Sequence, residues 1–159
     1  MTEARFSVRA SRVADIPAFA AVERSAAERF KGTDRAWVMA DAPTVDEVHR
    51  TAIAEGHHWL AEVDGEIAGL LLAERLGETL HLAELSVAMP FQGRGIGTAL
   101  IAAAERDARN AAFSALTLTT YRDIAWNAPF YRRRGFAELG REAIPRHLTE
   151  RLEREARRP

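Results

Sequence analysis

Between His57 and Ala88 the chain writes the same kind of segment three times. "HHWLAEV", "EIAGLLLAERL" and "TLHLAELSVA" read as strands, separated only by Asp64-Gly65 and Gly77-Glu78. Asp-Gly is the preferred two-residue hairpin turn, because its central positions tolerate the positive φ that matches strand twist. Two residues leave no room for a crossover, so the three strands must form an antiparallel meander.

The pattern then changes period. "QGRGIG" (92–97) leads into an alanine-rich amphipathic helix from Thr98 to about Asn110, with Glu105 and Arg109 paired at i,i+4. "SALTLTTY" follows as a strand, with Leu116 and Leu118 on one side and Thr117 and Thr119 on the other. A strand, a helix and a further strand form a crossover expected to be parallel and right-handed.

Upstream, "RFSVRA" alternates as a first strand. Asp15 is positioned to cap the next helix, with Pro17 in its first turn, and the helical pattern continues to about Phe30. After a loop at "KGTDRAW", "TVDEVHRTAIAEG" reads as a second helix, with Thr44 or Asp46 as cap and Gly56 as stop. Downstream, "AWNAPFYRRR" is a short helix closed by Gly135, "GFAEL" begins a last strand, and "PRHLTERLEREARRP" is a polar terminal helix. The order β-α-α-β-β-β-α-β-α-β predicts an α/β (α+β) mixed sheet with helices on both faces. No repeat or linker interrupts residues 1–159, which read as a single domain.

Composition narrows the function. Hydrophobic residues make up 47% and charged residues 28%, a globular balance. A net charge of −1 offers no bulk attraction for nucleic acid or an anionic membrane. The absence of cysteine excludes disulfides, thiolate metal sites and a cysteine nucleophile. No apolar run reaches membrane-spanning length and the N-terminus has no signal-peptide pattern, so the protein is expected to be soluble and cytoplasmic. His57 and His58 are adjacent rather than at i,i+4, so no metal site is expected. Trp37 and Trp59 are expected in the core or a pocket wall.

Glycines at 93, 95 and 97 remove every Cβ from one side of a turn that opens a helix. The first N–H groups of a helix lack intrahelical acceptors and lie at its positive end, which makes a diphosphate cradle. Arg94 or Gln92 could add a side-chain contact. The plainer alternative is a tight helix start. The dinucleotide fingerprint fails on spacing and position, and a nucleotide P-loop fails because Lys31, the one lysine, is remote.

Two stretches then carry a resemblance. "LAELSVAMPFQGRGIGTALI" resembles the central motif of the GNAT superfamily of acyl-CoA-dependent N-acetyltransferases, and "WNAPFYRRRGF" resembles its second motif. The resemblance covers roughly Arg5 to Leu139 and is weakest over the first 60 residues. It implies a mostly antiparallel sheet with one splayed parallel strand pair, and acetyl-CoA as co-substrate. Gln92, Gly93, Arg94, Gly95, Ile96, Gly97 and Thr98 would hold the pyrophosphate. Leu85, Ser86 and Val87, on the splayed strand, would bind the pantetheine amides, with Asn127 contacting the cofactor arm. Tyr131 resembles the tyrosine that donates a proton to the departing thiolate; its alternative is a buried aromatic beside Phe130 and Phe136. Arg132 to Arg134 suit either the 3′-phosphate or a solvated face.

Direct attack by an amine on the thioester sets the need for a base. A lysine-like amine with a pKa of about 10.4 is free in about one molecule in 2,500 at pH 7, whereas an α-amine near about 7.8 is free roughly 15% of the time. Glu84, facing opposite to Leu85, is the candidate base; its alternative is a solvated strand glutamate. His81 is second choice, since simple alternation turns it to the other face. Glu23 and Glu28 could line the acceptor pocket or be solvated. Tyr near about 10 and a thiol near about 8.5 make full proton transfer uphill by about 2 kcal/mol, so a shared proton is expected.

GNAT chains usually carry another strand near the end, where this sequence has "AIPRHLTERLERE". The alternatives are a sheet without that strand, a strand from "GREAI", or one from a second copy in a homodimer, and each changes the wall of the acceptor site. The acceptor is expected to be a small-molecule or peptide amine. A non-catalytic acyl-CoA sensor or adaptor of the same fold is the alternative, and Glu84 together with Tyr131 favours an enzyme because a binder needs neither.

Overall fold

A computed structural model describes residues 5–30, 43–118, 131 and 136. Strands β1 (Phe6–Ala10), β2 (His58–Val63), β3 (Glu66–Leu76), β4 (Thr79–Val87) and β5 (Ala115–Thr117) form one sheet in sequence order. The meander is there: β2, β3 and β4 are antiparallel neighbours, and β1 joins β2 the same way. Asp64 at φ 51° and Gly65 at φ 79° supply the two positive-φ positions the hairpin turn requires. Helix α3 (Ile96–Asn110) carries the chain across to β5, which runs parallel to β4.

Helices α1 (Phe19–Ala27) and α2 (Asp46–Glu55) cover the opposite face from α3. On the α3 side Trp59, Ala61, Leu71 and Leu80 pack with Leu100 and Ala104. On the other side Leu60 and Leu70 pack with Ile16, Phe19 and Val22. The Trp59 indole donates to Asp107 Oδ2 at 2.7 Å, which ties β2 to α3 and places Trp59 in the core. Glu105 and Arg109 pair at 2.7 Å as their spacing predicts.

Three expected caps work differently. Asp15 is not the first residue of α1 but sits within a 3₁₀ turn, Val13–Ala18, that precedes it. Its carboxylate accepts from Arg12 N at 2.8 Å and takes both Arg9 guanidinium nitrogens at 2.8 and 2.9 Å. Neither Thr44 nor Asp46 caps α2, whose N-cap is Val45. Instead Thr44 N donates to Glu23 Oε2 at 2.7 Å, so the start of α2 is held by a side chain from α1. Gly56 does stop α2, at φ 79°.

Strand β4 contains one residue too many. Leu72 pairs with Glu84 but Ala73 pairs with Leu82, so Ala83 is bulged out. Alternation restarts there, and every side chain before Ala83 swaps faces relative to a regular strand. Among the described residues no helix is long and apolar enough to cross a membrane.

Arg9 also reaches Glu62 Oε1 at 2.6 Å, so one guanidinium joins β1, β2 and the entry to α1. The Arg9 hydrogen bonds hold the Asp15 carboxyl below its ordinary value of 3.8. That stability is present above pH 3.8 and is lost as pH falls through the lower folded value. Arg9→Met should lower the unfolding free energy by about 1 kcal/mol at pH 7 in urea titration, a partly exposed pair being worth no more. The difference from wild type should shrink below the Asp15 titration.

Candidate active site

The glycine-rich turn is built as a cradle. After β4 a 3₁₀ turn, Met89–Phe91, redirects the chain, and α3 begins at Ile96 with Gly95 as its N-cap. Gly93 and Gly95 adopt φ 79° and 85°, where L side chains are strained, and a Cβ added to either would meet nothing within 4 Å. The space in front of the helix N-terminus is therefore open, and the backbone there fits a diphosphate. Gly97 lies inside the first turn of α3, so the cradle rests on two positive-φ glycines and the first helical N–H groups.

Ile96 reaches this site through its backbone only, since its side chain is buried in the α3-side core. Arg94 is exposed, with its guanidinium 5.6 Å from the Phe91 ring centroid. The Gln92 amide turns back to donate to Val87 O at 2.9 Å, linking the turn to the strand rather than extending outward. Thr98 is exposed in the first turn of α3.

Strand β4 offers the other half of the site. Its pairing with β5 covers Thr79 to His81 only, among the described residues, while β4 itself continues to Val87. Ala88 N donates to Ala68 O, so alternation turns the backbone groups of Ser86 toward Leu70 on β3. Those of Leu85 and Val87 turn to the opposite edge. Of the three residues expected to bind pantetheine by backbone, Ser86 thus has its backbone groups directed at β3.

The Ser86 hydroxyl donates to Glu84 Oε1 at 2.5 Å, with Ser86 buried and Glu84 half-buried on the face that α1 covers. The bulge at Ala83 puts His81 on this face as well, where plain alternation sends it away. His81 is buried and its Nδ1 lies 2.9 Å from Thr117 Oγ1. The sequence holds no mark of this bulge, because Ala83 has no turn or glycine character.

Tyr131 is helical and half-buried, and it packs against the α3-side core with its ring edge-on to Phe136 at 5.9 Å. Glu84 and Tyr131 therefore flank β4 from different faces. Asn127, Arg132 to Arg134 and Trp37 lie outside the described residues. Glu28 is exposed, whereas Glu23 is buried and faces His49 rather than solvent. Met89 N donates to Ser25 Oγ at 2.9 Å, joining the end of α1 to the turn that precedes the cradle.

One residue that the pattern did not single out holds these parts together. A Cβ on Gly69 would sit 3.0 Å from Ser86 O and 3.2 Å from Ile96 Cγ2. Glycine there allows β3, β4 and the first residue of α3 to meet. A glycine inside a strand is the sequence signal for such close approach.

Residues 21–136 match the model of a family described as the acetyltransferase (GNAT) family. Among solved structures, the chain is similar to the PaiA N-acetyltransferase of Thermoplasma acidophilum in complex with coenzyme A. The TM-score is 0.70 at 16% identity, over 84% of this chain and 90% of that one. It is similar to the ribosomal-protein-S18-alanine N-acetyltransferase of Escherichia coli, with TM-score 0.68, 17% identity and coverage of 86% and 80%. It is also similar to an aminoglycoside acetyltransferase from an uncultured soil metagenomic sample in complex with sisomicin, with TM-score 0.63, 17% identity and coverage of 85% and 91%.

Gly69→Ala should cost about 1–3 kcal/mol in urea unfolding, the usual penalty of overpacking. A variant as stable as wild type would mean that β4 and α3 do not need this approach.

Proposed function

The chain belongs to the acetyltransferase (GNAT) family, whose co-substrate is acetyl-CoA, and on that premise we propose that it is an N-acetyltransferase acting by direct attack of a primary amine. The observation that carries this reading is the geometry of β4. Its outer edge at Leu85 and Val87 leads directly into an open glycine cradle, while its α1 face presents a carboxylate oriented by a neighbouring hydroxyl. The reading takes residues 1–159 as a single N-acetyltransferase domain.

Acetyl-CoA, when bound, supplies a thioester activated toward amines. The residues that would hold it are the backbone of Gly93 to Thr98 for the diphosphate and the outward groups of Leu85 and Val87 for the amides. A buried backbone group needs a hydrogen-bond partner, so a ligand amide suits that edge. Gln92, bonded to Val87 O, keeps strand and cradle in register. Asn127 completes the proposed cofactor contacts.

Glu84 takes the proton of the incoming ammonium, directly or through a water, on the α1 face. Ser86 fixes the carboxylate's direction by occupying Oε1. Tyr131, from the α3 side, shares its proton with the departing sulfur. Approach of the amine and departure of the thiol are thereby kept on separate sides of the strand.

The acceptor is proposed as a small-molecule or peptide amine. The similar structures named above include proteins described as acting on a ribosomal-protein alanine and on an aminoglycoside, so the fold does not select between these classes.

Calorimetric titration should give micromolar acetyl-CoA binding to wild type and none to folded Gly95→Trp, whose indole fills the cradle. No binding by folded wild type would refute the assignment, and binding without turnover on any amine would leave an acyl-CoA sensor. In an amine screen Glu84→Gln should lower kcat about 10²–10⁴-fold for lysine-like acceptors, the usual worth of a positioned base. The loss should be smaller for α-amines, which are already partly deprotonated. Ser86→Ala should lower kcat several-fold with the KM for acetyl-CoA unchanged.

A further inference from the structure

A second polar cluster lies beneath α1 and α2, apart from the cradle. Ser11, Glu23, His49 and His58 are all buried, with His49 and His58 at 1% and 2% exposure. They come from four places: the end of β1, α1, α2 and β2. Ser11 Oγ lies 2.7 Å from His58 Nδ1, and His58 Nε2 lies 2.9 Å from His49 Nδ1. His49 Nε2 faces Glu23 Oε1 at 3.8 Å, beyond hydrogen-bond distance, and among the described residues neither atom has a hydrogen-bond partner. The Phe19 ring stacks on His58 and tilts against His49, both at 4.8 Å between centroids.

The facing carboxylate favours one arrangement of protons in this series. A carboxylate oxygen accepts and cannot donate, and Glu23 Oε2 already accepts from Thr44 N. His49 must then present Nε2–H to Glu23, which leaves its Nδ1 as an acceptor. His58 must donate from Nε2 to that Nδ1, so its own Nδ1 accepts the Ser11 hydroxyl proton. The reverse order would set a lone pair of His49 against the carboxylate.

We propose that Ser11, His58 and His49 form a directed hydrogen-bond series aimed at Glu23 that locks α1 and α2 onto the sheet, and that protonating both histidines breaks it. A single added proton leaves the series connected, because His58 can donate from Nδ1 to Ser11 Oγ, whereas two protonated imidazoles set N–H against N–H across the 2.9 Å contact. The acidic groups facing the pair are Glu23 from α1, Asp46 from α2, and Asp15 from the turn before α1, which Arg9 engages. Burial outweighs them and pushes His58 down to about 4, with the neighbouring His49 adding to the effect. His49 is also held below its ordinary value, by burial against the pull of Glu23 and Asp46.

The sign follows from these lowered values. Below pH 6.5 the unfolded or opened histidine takes up a proton that the locked form refuses. The lock is complete above pH 6.5 and weakens as pH falls toward 4. Glu84 and the cradle are not part of it, so the device acts on the α1–α2 layer.

Long-range proton–nitrogen NMR on the wild-type chain at pH 7.5 tests the relay directly. Both His49 and His58 should be Nε2–H tautomers; an Nδ1–H signal from either would overturn the assignment. Hydrogen exchange tests the lock: corrected for intrinsic rates, exchange in α2 should rise by up to about 300-fold between pH 6.5 and 4, as a lowering from 6.5 to about 4 allows. Exchange in α3 should rise much less, and His49→Leu should reduce the dependence in α2, with His58 still buried. Equal acceleration of α2 and α3 would overturn the lock. If the leucine variant does not fold, the tautomers and the contrast between helices in wild type still decide.

Discussion

A strand inside a sheet must satisfy hydrogen bonds on both of its edges, and β4 meets that demand with β5 only over Thr79 to His81 among the described residues. Its inner edge follows β3 along the whole strand. Among the described residues, the outward groups at Leu85 and Val87 have no partner in β5. One carbonyl is taken by the Gln92 amide, from the turn that forms the cradle. Strand edge, turn and helix N-terminus thereby form one continuous polar track. Gly69 sets its geometry, because a single methyl there would press on Ser86 O and Ile96 together.

The two faces of β4 carry different work, and the bulge at Ala83 decides which residues share a face. Without it, His81 would enter the α3-side core. With it, His81, Glu84 and Ser86 all project toward the α1 layer. Tyr131 stays with the α3-side cluster.

The α1–α2 layer is anchored through polar contacts as much as apolar ones. Glu23 holds the start of α2 through Thr44 and points its second oxygen at His49. Buried polar groups of this kind are costly unless their partners are in place, and they specify one arrangement when they are. The α1–α2 layer therefore holds the buried histidine pair, whereas the core beneath α3 is packed mainly with alanine and leucine.

Local chemistry alone determined much of the chain. Asp64-Gly65 dictated a hairpin, alternation dictated β2 to β4, and three glycines before an alanine-rich run dictated an open helix start. Those features depend on φ preferences and side-chain period, which neighbouring residues set. The turn at Gln92 to Gly97 was legible for the same reason, while Tyr131 was singled out only by resemblance to a family motif. What only the tertiary structure decided were pairings between distant segments. The extra residue at Ala83 exists relative to β3, not within β4. Glu23 reads as a surface helix residue until α2 closes over it. His58 reads as half of an idle pair until His49 and Ser11 arrive from other elements. Contacts between segments tens of residues apart leave no periodic trace in the chain, so tertiary packing alone could place them.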